Sequence, residues 1–273
     1  MEQCPLSSKD DIVKELALLY ARKKLSLTGL GEVAKLIKRL GHDIPTYPTT
    51  ILKTTNTPIR SRNFHHFSLK KSLLGKLKKG MINKESTIIK IQVNIDGTQI
   101  FKTNSIDLWP ILGRVINSLD ALPFVISVFV GKGKPPNLEE YLRPFLEELM
   151  ALQSEGLECM GITYSIEMSS FVCDAPARAF LKVITAHTGY FGCERCNQKG
   201  VYDTVYHCTT FPEVTDVSLR TNTSFRAQLN KQHHKGFSPL LELKIDMISC
   251  FPLDYMHLVL LGVFKRLLTI WTG

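Results

Sequence analysis

Two aspartates stand where chemistry is expected in this chain, because each follows an apolar run. Asp96 comes directly after the alternating stretch Ile89–Ile95, and Asp174 follows Phe171-Val172-Cys173. Each run predicts a strand that ends in a carboxylate. Carboxylate oxygens are ligands that Mg²⁺ and Mn²⁺ prefer, and two such ions can hold the attacking and leaving oxygens of a phosphoryl transfer. We therefore expect a metal site if the two strands are neighbours.

Each aspartate also has a simpler interpretation. Asp174 is followed by Pro176 and by helical apolar spacing, so it is well placed to be only a helix N-cap. Asp96-Gly97 is typical of a two-residue hairpin turn, here leading into Gln99–Lys102. Both interpretations stay open at the level of sequence.

A Cys-x-x-Cys pair, Cys193 and Cys196, lies shortly after Asp174. The chain has an odd number of cysteines, 7, and its first residues lack the apolar segment of an export signal, which favours a reducing compartment. In that setting the spacing indicates a tetrahedral zinc site before a disulfide. Such a site needs more ligands, and the candidates are His207, Cys208, His233, His234 and His257.

Positive charge is concentrated in the first third of the chain. Residues 1–80 contain 16 Lys and Arg against 6 Asp and Glu, whereas the rest contains 18 against 19. This imbalance indicates a phosphate-rich partner such as nucleic acid, although a solvated basic face would have the same composition. No apolar run is long enough to predict a membrane span.

The order of predicted elements suggests four regions. Residues 1–42 form a basic helical region, 43–85 a linker and basic segment, 86–197 a core, and 198–273 the start of an insertion with Cys and His positions and a C-terminal apolar helix. Within 86–197 the order is strand, hairpin, strand, strand, helix, strand, helix. We expect an α/β fold with an RNase H-like mixed sheet and flanking helices, preceded by the small basic helical region.

Six short segments follow one another as they do in CACTA-class (CMC superfamily) DDE transposases, and residues 12–273 resemble that family. They are Asn94-Ile95-Asp96-Gly97, Ile106–Leu112, Gly131–Pro135, Cys173–Ala177, Gly192–Cys196 and Asp254-Tyr255-Met256-His257.

The resemblance implies an RNase H-like nuclease that cuts and joins DNA with Mg²⁺ or Mn²⁺. It also implies a nuclear location, and without the resemblance the expected location is the cytoplasm. Asp96 and Asp174 fall on the family's first two catalytic acids. Cys193 and Cys196 fall on its Cys-x-x-Cys and His257 on its Asp-x-Met-His element, so these three are assigned to zinc, although His257 could also bond a helix carbonyl. DNA is the expected partner, together with self-association or a partner chain, and no membrane.

The sequence departs from the family at the third acid, a Glu that lies on a helix beyond the Asp-x-Met-His element. Leu258–Gly273 contains no Asp or Glu, and Glu213 lies among Pro and Thr residues that disfavour a stiff helix. We therefore expect a transposase-derived DNA-binding protein that is inactive as this chain. The alternatives are a domesticated, non-catalytic nucleic-acid-binding or protein-interaction module, and a zinc-stabilised interaction protein without a DNA partner.

Overall fold

The computed structural model describes residues 8–22, 24–52, 63–82, 86–99, 106–120, 122–212, 215 and 217–272. It divides the chain into two compact units, residues 1–61 and residues 62–273, and each is described by itself.

The first unit is helical. Its helices are α1 (Lys9–Ala21), α2 (Leu27–Arg39) and α3 (Pro48–Ile51). The Ser8 side chain accepts a hydrogen bond from the Asp11 amide while the Asp11 carboxylate accepts from the Ser8 amide, which confirms the predicted capping box. Gly41 follows α2 with a φ of +99°, as expected for a residue that ends a helix.

The Pro- and Thr-rich stretch predicted as linker folds in its first part. Ile44 and Ile51 are 2% exposed and lie in the small core of the first unit, beside Leu16 and Leu30. Pro48 begins α3, where its missing N–H is tolerated. The structure therefore differs from a linker over residues 43–52, whereas residues 53–62 lie outside the described part of the chain.

The second unit is built on a mixed sheet of seven strands among the described residues, which confirms the predicted α/β class. The sheet order is β1-β5-β4-β2-β7-β6, with β3 paired to β4. β2 is antiparallel to β4 and parallel to β7. The strands are β1 (Phe64–His66), β2 (Ile88–Ile95), β3 (Thr98–Gln99), β4 (Asp107–Val115), β5 (Phe124–Gly131), β6 (Leu157–Cys159) and β7 (Ile162–Val172).

β2 has the alternation that its sequence predicts, since Ile89, Ile91, Val93 and Ile95 are all fully buried. The predicted hairpin after β2 is wrong, because Thr98–Gln99 pairs with the first residues of β4 and not with β2. Both edges of β2 are already occupied, by β4 and by β7. The chain that leaves β2 therefore pairs elsewhere, and residues 100–102 lie outside the described residues.

Three helices lie against this sheet: α4 (Leu69–Lys78), α5 (Leu138–Glu155) and α6 (Ala175–Lys182). The predicted inward stripe of α5 is confirmed, with Tyr141, Leu142, Phe145, Leu146 and Leu149 buried. The helix continues through Pro144, so the proline does not split it. α4 comes from the region predicted as linker and basic segment, yet its leucines lie in the core of this unit.

Residues 198–251 show little periodicity in sequence, but much of this region packs into the same core. Phe225, Leu240, Met247 and Phe251 are at most 2% exposed and contact the sheet-and-helix cluster. The local elements are short, so periodicity could not reveal them: β8 (Val201–Asp203), β9 (Cys208–Thr210), α7 (Asn222–Arg226) and a 3₁₀ turn (Pro239–Glu242).

The predicted C-terminal helix is present as a π-helical stretch, Met256–Phe264, that continues into α8 (Lys265–Thr272). None of its side chains is buried. Among the described residues, no helix is long and apolar enough to cross a membrane.

Candidate functional site

The register of two parallel strands brings Asp96 and Asp174 to one edge of the sheet. Asn94 of β2 is the direct partner of Val172 of β7, and the Asn94 amide Nδ2 donates to the Val172 carbonyl at 2.7 Å. Asp96 lies two residues after Asn94, and Asp174 lies two residues after Val172. The strands are therefore neighbours, as the metal hypothesis requires, and they end at the same level.

The two carboxylates are close enough to affect each other. Burial raises the pKa of Asp96 above its usual value, and the negative charge of Asp174 raises it further. Asp254 adds to the increase, whereas a hydrogen bond from the Gly97 amide and the charge of His257 oppose it. This edge of the sheet therefore concentrates negative charge that a cation would relieve.

Each aspartate uses one carboxylate oxygen locally. Asp174 Oδ1 accepts from the Ala177 amide at 2.7 Å, so Asp174 is the N-cap of α6, as its simpler interpretation predicts. Asp96 Oδ1 accepts from the Gly97 amide at 2.8 Å. Within the described part of the chain, neither Oδ2 atom has a hydrogen-bond partner. These local hydrogen bonds therefore leave one oxygen of each carboxylate available for a ligand.

Asp254 and His257 also belong to this edge, which the sequence did not predict. Asp254 accepts from the Met256 amide at 3.1 Å, from the His257 amide at 3.3 Å and from the His257 ring Nδ1. The bond to Asp254 raises the pKa of His257, and the charges of Asp96 and Asp174 act in the same direction. The structure thus places His257 with the acidic residues.

Trp109 forms the wall beside Asp96. Its indole lies against Gly97, its ring packs edge-on to Phe180 at 5.4 Å, and the Lys134 ammonium lies 5.9 Å from its ring centroid. Lys134 is also 5.3 Å from the Phe180 ring. Lys134 therefore makes cation–π contacts with both rings.

Replacing Gly97 with Ala is expected to destabilise the second unit by about 1–3 kcal/mol, because overpacking has this typical cost. A Cβ atom at Gly97 would lie 2.5 Å from the Trp109 ring. Chemical denaturation measures the effect. Gly75→Ala is the matched control, since a Cβ there meets nothing within 4 Å and the residue lies inside α4. A Gly97→Ala variant as stable as Gly75→Ala would contradict this packing.

The two cysteines lie together after α6. Their Sγ atoms are 3.3 Å apart, and the Cys196 amide donates to Cys193 Sγ at 3.4 Å. Burial raises the pKa of the Cys196 thiol. Arg220 donates from Nε to the Cys193 carbonyl at 2.9 Å, so a guanidinium adjoins the pair.

His233 offers this region a ring nitrogen that could bind a metal. The residue is fully buried, and its Nδ1 must carry the proton because its partner, 2.7 Å away, is the Phe191 carbonyl. Nε2 is buried without a partner among the described residues, and burial lowers the pKa of His233 to about 4. A neutral imidazole fixed through Nδ1 is the form that binds zinc through Nε2.

The other predicted ligands are placed differently. His207 lies in the β8–β9 turn next to Tyr202, and Cys208 is exposed. His257 bonds Asp254. In the described ranges, no group of three or more His, Cys, Asp or Glu side chains is arranged to hold a metal ion. Glu213, the discounted third acid, lies outside those ranges.

Ser127, His66 and Glu148 form a hydrogen-bonded row that superficially resembles a hydrolase triad. His66 Nδ1 lies 2.7 Å from Ser127 Oγ, and Nε2 lies 3.0 Å from Glu148. Ser127 is fully buried within β5, so it cannot meet a substrate. Glu148 also accepts from the Leu69 amide at 2.5 Å, which identifies the row as a structural link between α5 and the start of α4.

Comparison of the chain with models of known protein families found no match, and comparison with curated proteins found none either. The candidate functional sites are therefore the acidic edge, formed by Asp96, Asp174 and Asp254 with His257, and the Cys193–Cys196 turn.

Proposed function

We propose that residues 62–273 are an RNase H-like domain that binds Mg²⁺ or Mn²⁺ at Asp96 and Asp174, within a transposase-derived DNA-binding protein. The observation that carries this proposal is the parallel register of β2 and β7, which ends both strands in carboxylates at one level. Mn²⁺ binding that depends on both carboxylates tests it.

The topology supports the proposed fold identity. An antiparallel series β5-β4-β2 is extended by β7, parallel to β2, with α5 between β5 and β7 in sequence. This is the element order expected from the resemblance to CACTA-class transposases. In such folds the acidic residues lie where the first strand and the parallel strand end, as Asp96 and Asp174 do.

The residues present fit a divalent cation. Each aspartate has an oxygen without a protein partner in the described part of the chain. Burial raises the pKa of Asp96, and the like charge of Asp174, which a cation would neutralise, raises it further. A divalent cation held by Asp96 and Asp174 would polarise phosphoryl oxygens and favour an attacking hydroxide. The chain's own part is to hold the two carboxylates at the ends of paired strands, with Trp109 packed against Gly97 beside Asp96.

The DNA partner is supported by the placement of positive charge. In the first unit Arg22, Lys24, Lys38 and Arg39 are exposed, and the last two lie in the final turn of α2. In the basic segment of the second unit, Lys76 is paired with Asp120 at 2.8 Å and is not available to a phosphate, whereas Lys70, Lys71, Lys78 and Lys79 are exposed. We assign the main phosphate contacts to the first unit together with the exposed lysines of the basic segment, since residues 1–80 hold the positive excess.

Changing Arg22, Lys24, Lys38 and Arg39 to Gln is expected to weaken DNA binding and to reduce its salt dependence. Each phosphate that is no longer neutralised lowers the slope of log affinity against log salt by about 0.9, so four substitutions would lower it by roughly 3–4. Fluorescence anisotropy over a range of salt concentrations measures both quantities.

The control replaces four exposed lysines of the second unit with Gln. This control should change the salt slope by less than the amount expected for a single phosphate. If the control weakens DNA binding as much as the first variant does, any exposed positive charge contributes equally to binding. That result would contradict the assignment of the phosphate contacts. The control lysines are Lys199, Lys231, Lys244 and Lys265.

We also propose that Cys193 and Cys196 bind zinc, with His233 as the third ligand in place of His257 after a shift of side chains that the described arrangement requires. The buried, unpartnered Nε2 of His233 supports this exchange, as does the bond that engages His257 with Asp254. A Cys₂His donor set is of a type found in zinc sites.

Purified protein is expected to contain about one zinc ion per chain, and Cys193→Ser with Cys196→Ser should remove it. His233→Ala should lower the zinc content, whereas His257→Ala should not. Elemental analysis measures this, and Cys208→Ser, an exposed cysteine nearby in sequence, is the control. Equal zinc in the wild type and the double cysteine variant would exclude these ligands.

A non-catalytic nucleic-acid-binding module is the second candidate function. Both oxygens of Asp254 accept hydrogen bonds from its own turn, so its carboxylate is not free as a third metal ligand. Within the described residues, no glutamate is among the groups whose charge acts on Asp96. This arrangement favours metal and DNA binding without strand cleavage.

A further inference from the structure

We propose that Glu194 and Arg195 are positioning residues that hold in place the segments carrying Asp174 and Asp254 at the acidic edge. They are the middle residues of the Cys193–Cys196 turn. This inference rests on the proposed function, because it concerns the geometry of the carboxylates that would bind the cation. It adds a role for the Cys-x-x-Cys turn besides zinc binding.

Glu194 connects the turn to the helix that follows Asp174. Its carboxylate accepts from Arg178 Nε at 2.8 Å and from Lys182 Nζ at 3.1 Å, both on α6. The three side chains are nearly excluded from water, with 9%, 6% and 1% of Glu194, Arg178 and Lys182 exposed. Ion pairs that are this buried require their partners, since an unpaired buried charge is strongly unfavourable.

Arg178 carries the connection to Asp174 itself. Its Nη1 donates to the Cys173 carbonyl at 2.7 Å, and its amide donates to the Asp174 carbonyl at 2.9 Å. The peptide between Cys173 and Asp174 is therefore fixed by a guanidinium whose orientation Glu194 sets. The Asp174 side chain in turn accepts from the Ala177 amide in the same helix.

Arg195 connects the turn to the segment that carries Asp254. Its Nη1 donates to the Ile248 carbonyl at 2.7 Å and its Nη2 to the Phe251 carbonyl at 2.5 Å. Phe251 stacks on Phe171 of β7 with ring centroids 5.0 Å apart. The residues leading to Asp254 are thus held against the strand that leads to Asp174.

Two adjacent side chains of one short turn therefore reach both segments. Both sets of contacts end at backbone carbonyls close to the acids, or at the helix that one acid caps. A cation at Asp96 and Asp174 needs both carboxylates in fixed positions, and residues that orient metal ligands typically change metal affinity or activity about 10- to 100-fold when replaced. We assign that function to Glu194, which positions the Asp174 segment, whereas Arg195 positions the neighbouring segment that carries Asp254 and His257.

The experiment compares Glu194→Gln and Arg195→Gln with the wild type in two measurements. The first is amide hydrogen exchange at Ala177 and at Met256, whose amides donate to Asp174 and Asp254. The second is the Mn²⁺ dissociation constant. We expect faster exchange at Ala177 in Glu194→Gln and at Met256 in Arg195→Gln, and an Mn²⁺ affinity lowered about 10-fold or more in Glu194→Gln.

Asp120→Asn is the matched control, because it removes the ion pair of Asp120 with Lys76, whose side chains are 19% and 11% exposed. It should leave both exchange rates and the Mn²⁺ affinity unchanged. If Glu194→Gln does not fold, the double variant Glu194→Gln with Lys182→Met replaces it, because it also removes one of the two charges left unpaired. Glu194→Asp should bind Mn²⁺ with an affinity between those of the wild type and Glu194→Gln. A merely structural role predicts equal effects of the control and test variants.

Two results would overturn the inference. One is unchanged exchange at Ala177 in Glu194→Gln, and the other is wild-type Mn²⁺ affinity in a folded Glu194→Gln variant. A wild type that binds no Mn²⁺ would instead contradict the proposed function, and the exchange rates would still decide whether the Cys193–Cys196 turn holds the two segments.

Discussion

Without divalent cations, an Asp96→Asn variant is expected to be more stable than the wild type at neutral pH, and to lose the stabilisation that Mn²⁺ gives the wild type. Burial and the charge of Asp174 raise the pKa of Asp96, so the ionised carboxylate is unfavourable in the folded protein. Asn keeps the shape and removes the charge. The same change removes an oxygen ligand that a cation needs.

The pH dependence of this difference follows from the direction of the pKa shift. Folded protein binds the Asp96 proton more tightly than unfolded protein, so the stability of the metal-free wild type falls as pH rises from the ordinary aspartate value of 3.8 through the raised pKa. Asp96→Asn does not undergo this decrease. Its advantage should therefore be present at pH 7 and absent below the ordinary value.

Thermal unfolding with and without Mn²⁺ measures both effects. A cation at 100 times its dissociation constant stabilises the folded state by about 2.7 kcal/mol, which raises Tm by roughly 5–10 °C for a domain of this size. Glu158→Gln is the control, since Glu158 is exposed and lies beside Thr163 at the start of β7, about 36 Å along the chain from Asp174 at the rise of an extended strand. An equal Mn²⁺ response in Asp96→Asn would contradict the role of Asp96.

Strand cleavage by this chain alone is expected to be at least about a thousandfold below that of a complete two-metal site, because the loss of one metal ligand has a cost of several kcal/mol in the transition state. In the described residues two carboxylates, Asp96 and Asp174, have free oxygens at the acidic edge. The oxygens of Asp254 are engaged by its own turn. A second cation therefore lacks a protein ligand that fixes its position.

The assay is cleavage and strand transfer on labelled DNA with Mg²⁺ or Mn²⁺, with Asp174→Ala beside the wild type. We expect both proteins to give the background rate. Robust cleavage that Asp174→Ala abolishes would contradict the prediction, and Asp254→Asn would then show whether that carboxylate is released from its turn to complete the site.

The positions of the two aspartates were accessible from sequence because they follow from local patterns. Alternation in β2 and the apolar run in β7 both end at a carboxylate. Once these two strands pair in parallel, the two carboxylates lie at the same edge of the sheet. The N-cap role of Asp174 was equally accessible, since Pro176 and the following apolar spacing predict a helix start. Local rules were sufficient for both residues.

Interactions between segments distant in sequence were not accessible. In the sequence, Glu194 is a charged residue between two cysteines, which predicts an exposed side chain. In the structure it is buried, because its carboxylate pairs with Arg178 and Lys182. His257 matched a zinc ligand by motif, whereas the fold brings it to the acidic edge through Asp254. Phe225 and Phe251 lie in a region without periodicity because its elements are too short to show one.

The pairing of Asp96 with Asp174 as a cation site is tested most directly by Mn²⁺ titration followed by electron paramagnetic resonance, which counts free and bound ions. The wild type is expected to bind Mn²⁺, while Asp96→Asn and Asp174→Asn each lose that binding and Glu158→Gln keeps it. Asp174→Asn retains an N-cap residue for α6, so loss of binding in that variant reports on the ligand and not on the helix. Equal Mn²⁺ binding by all four proteins, or by none of them, would contradict the account.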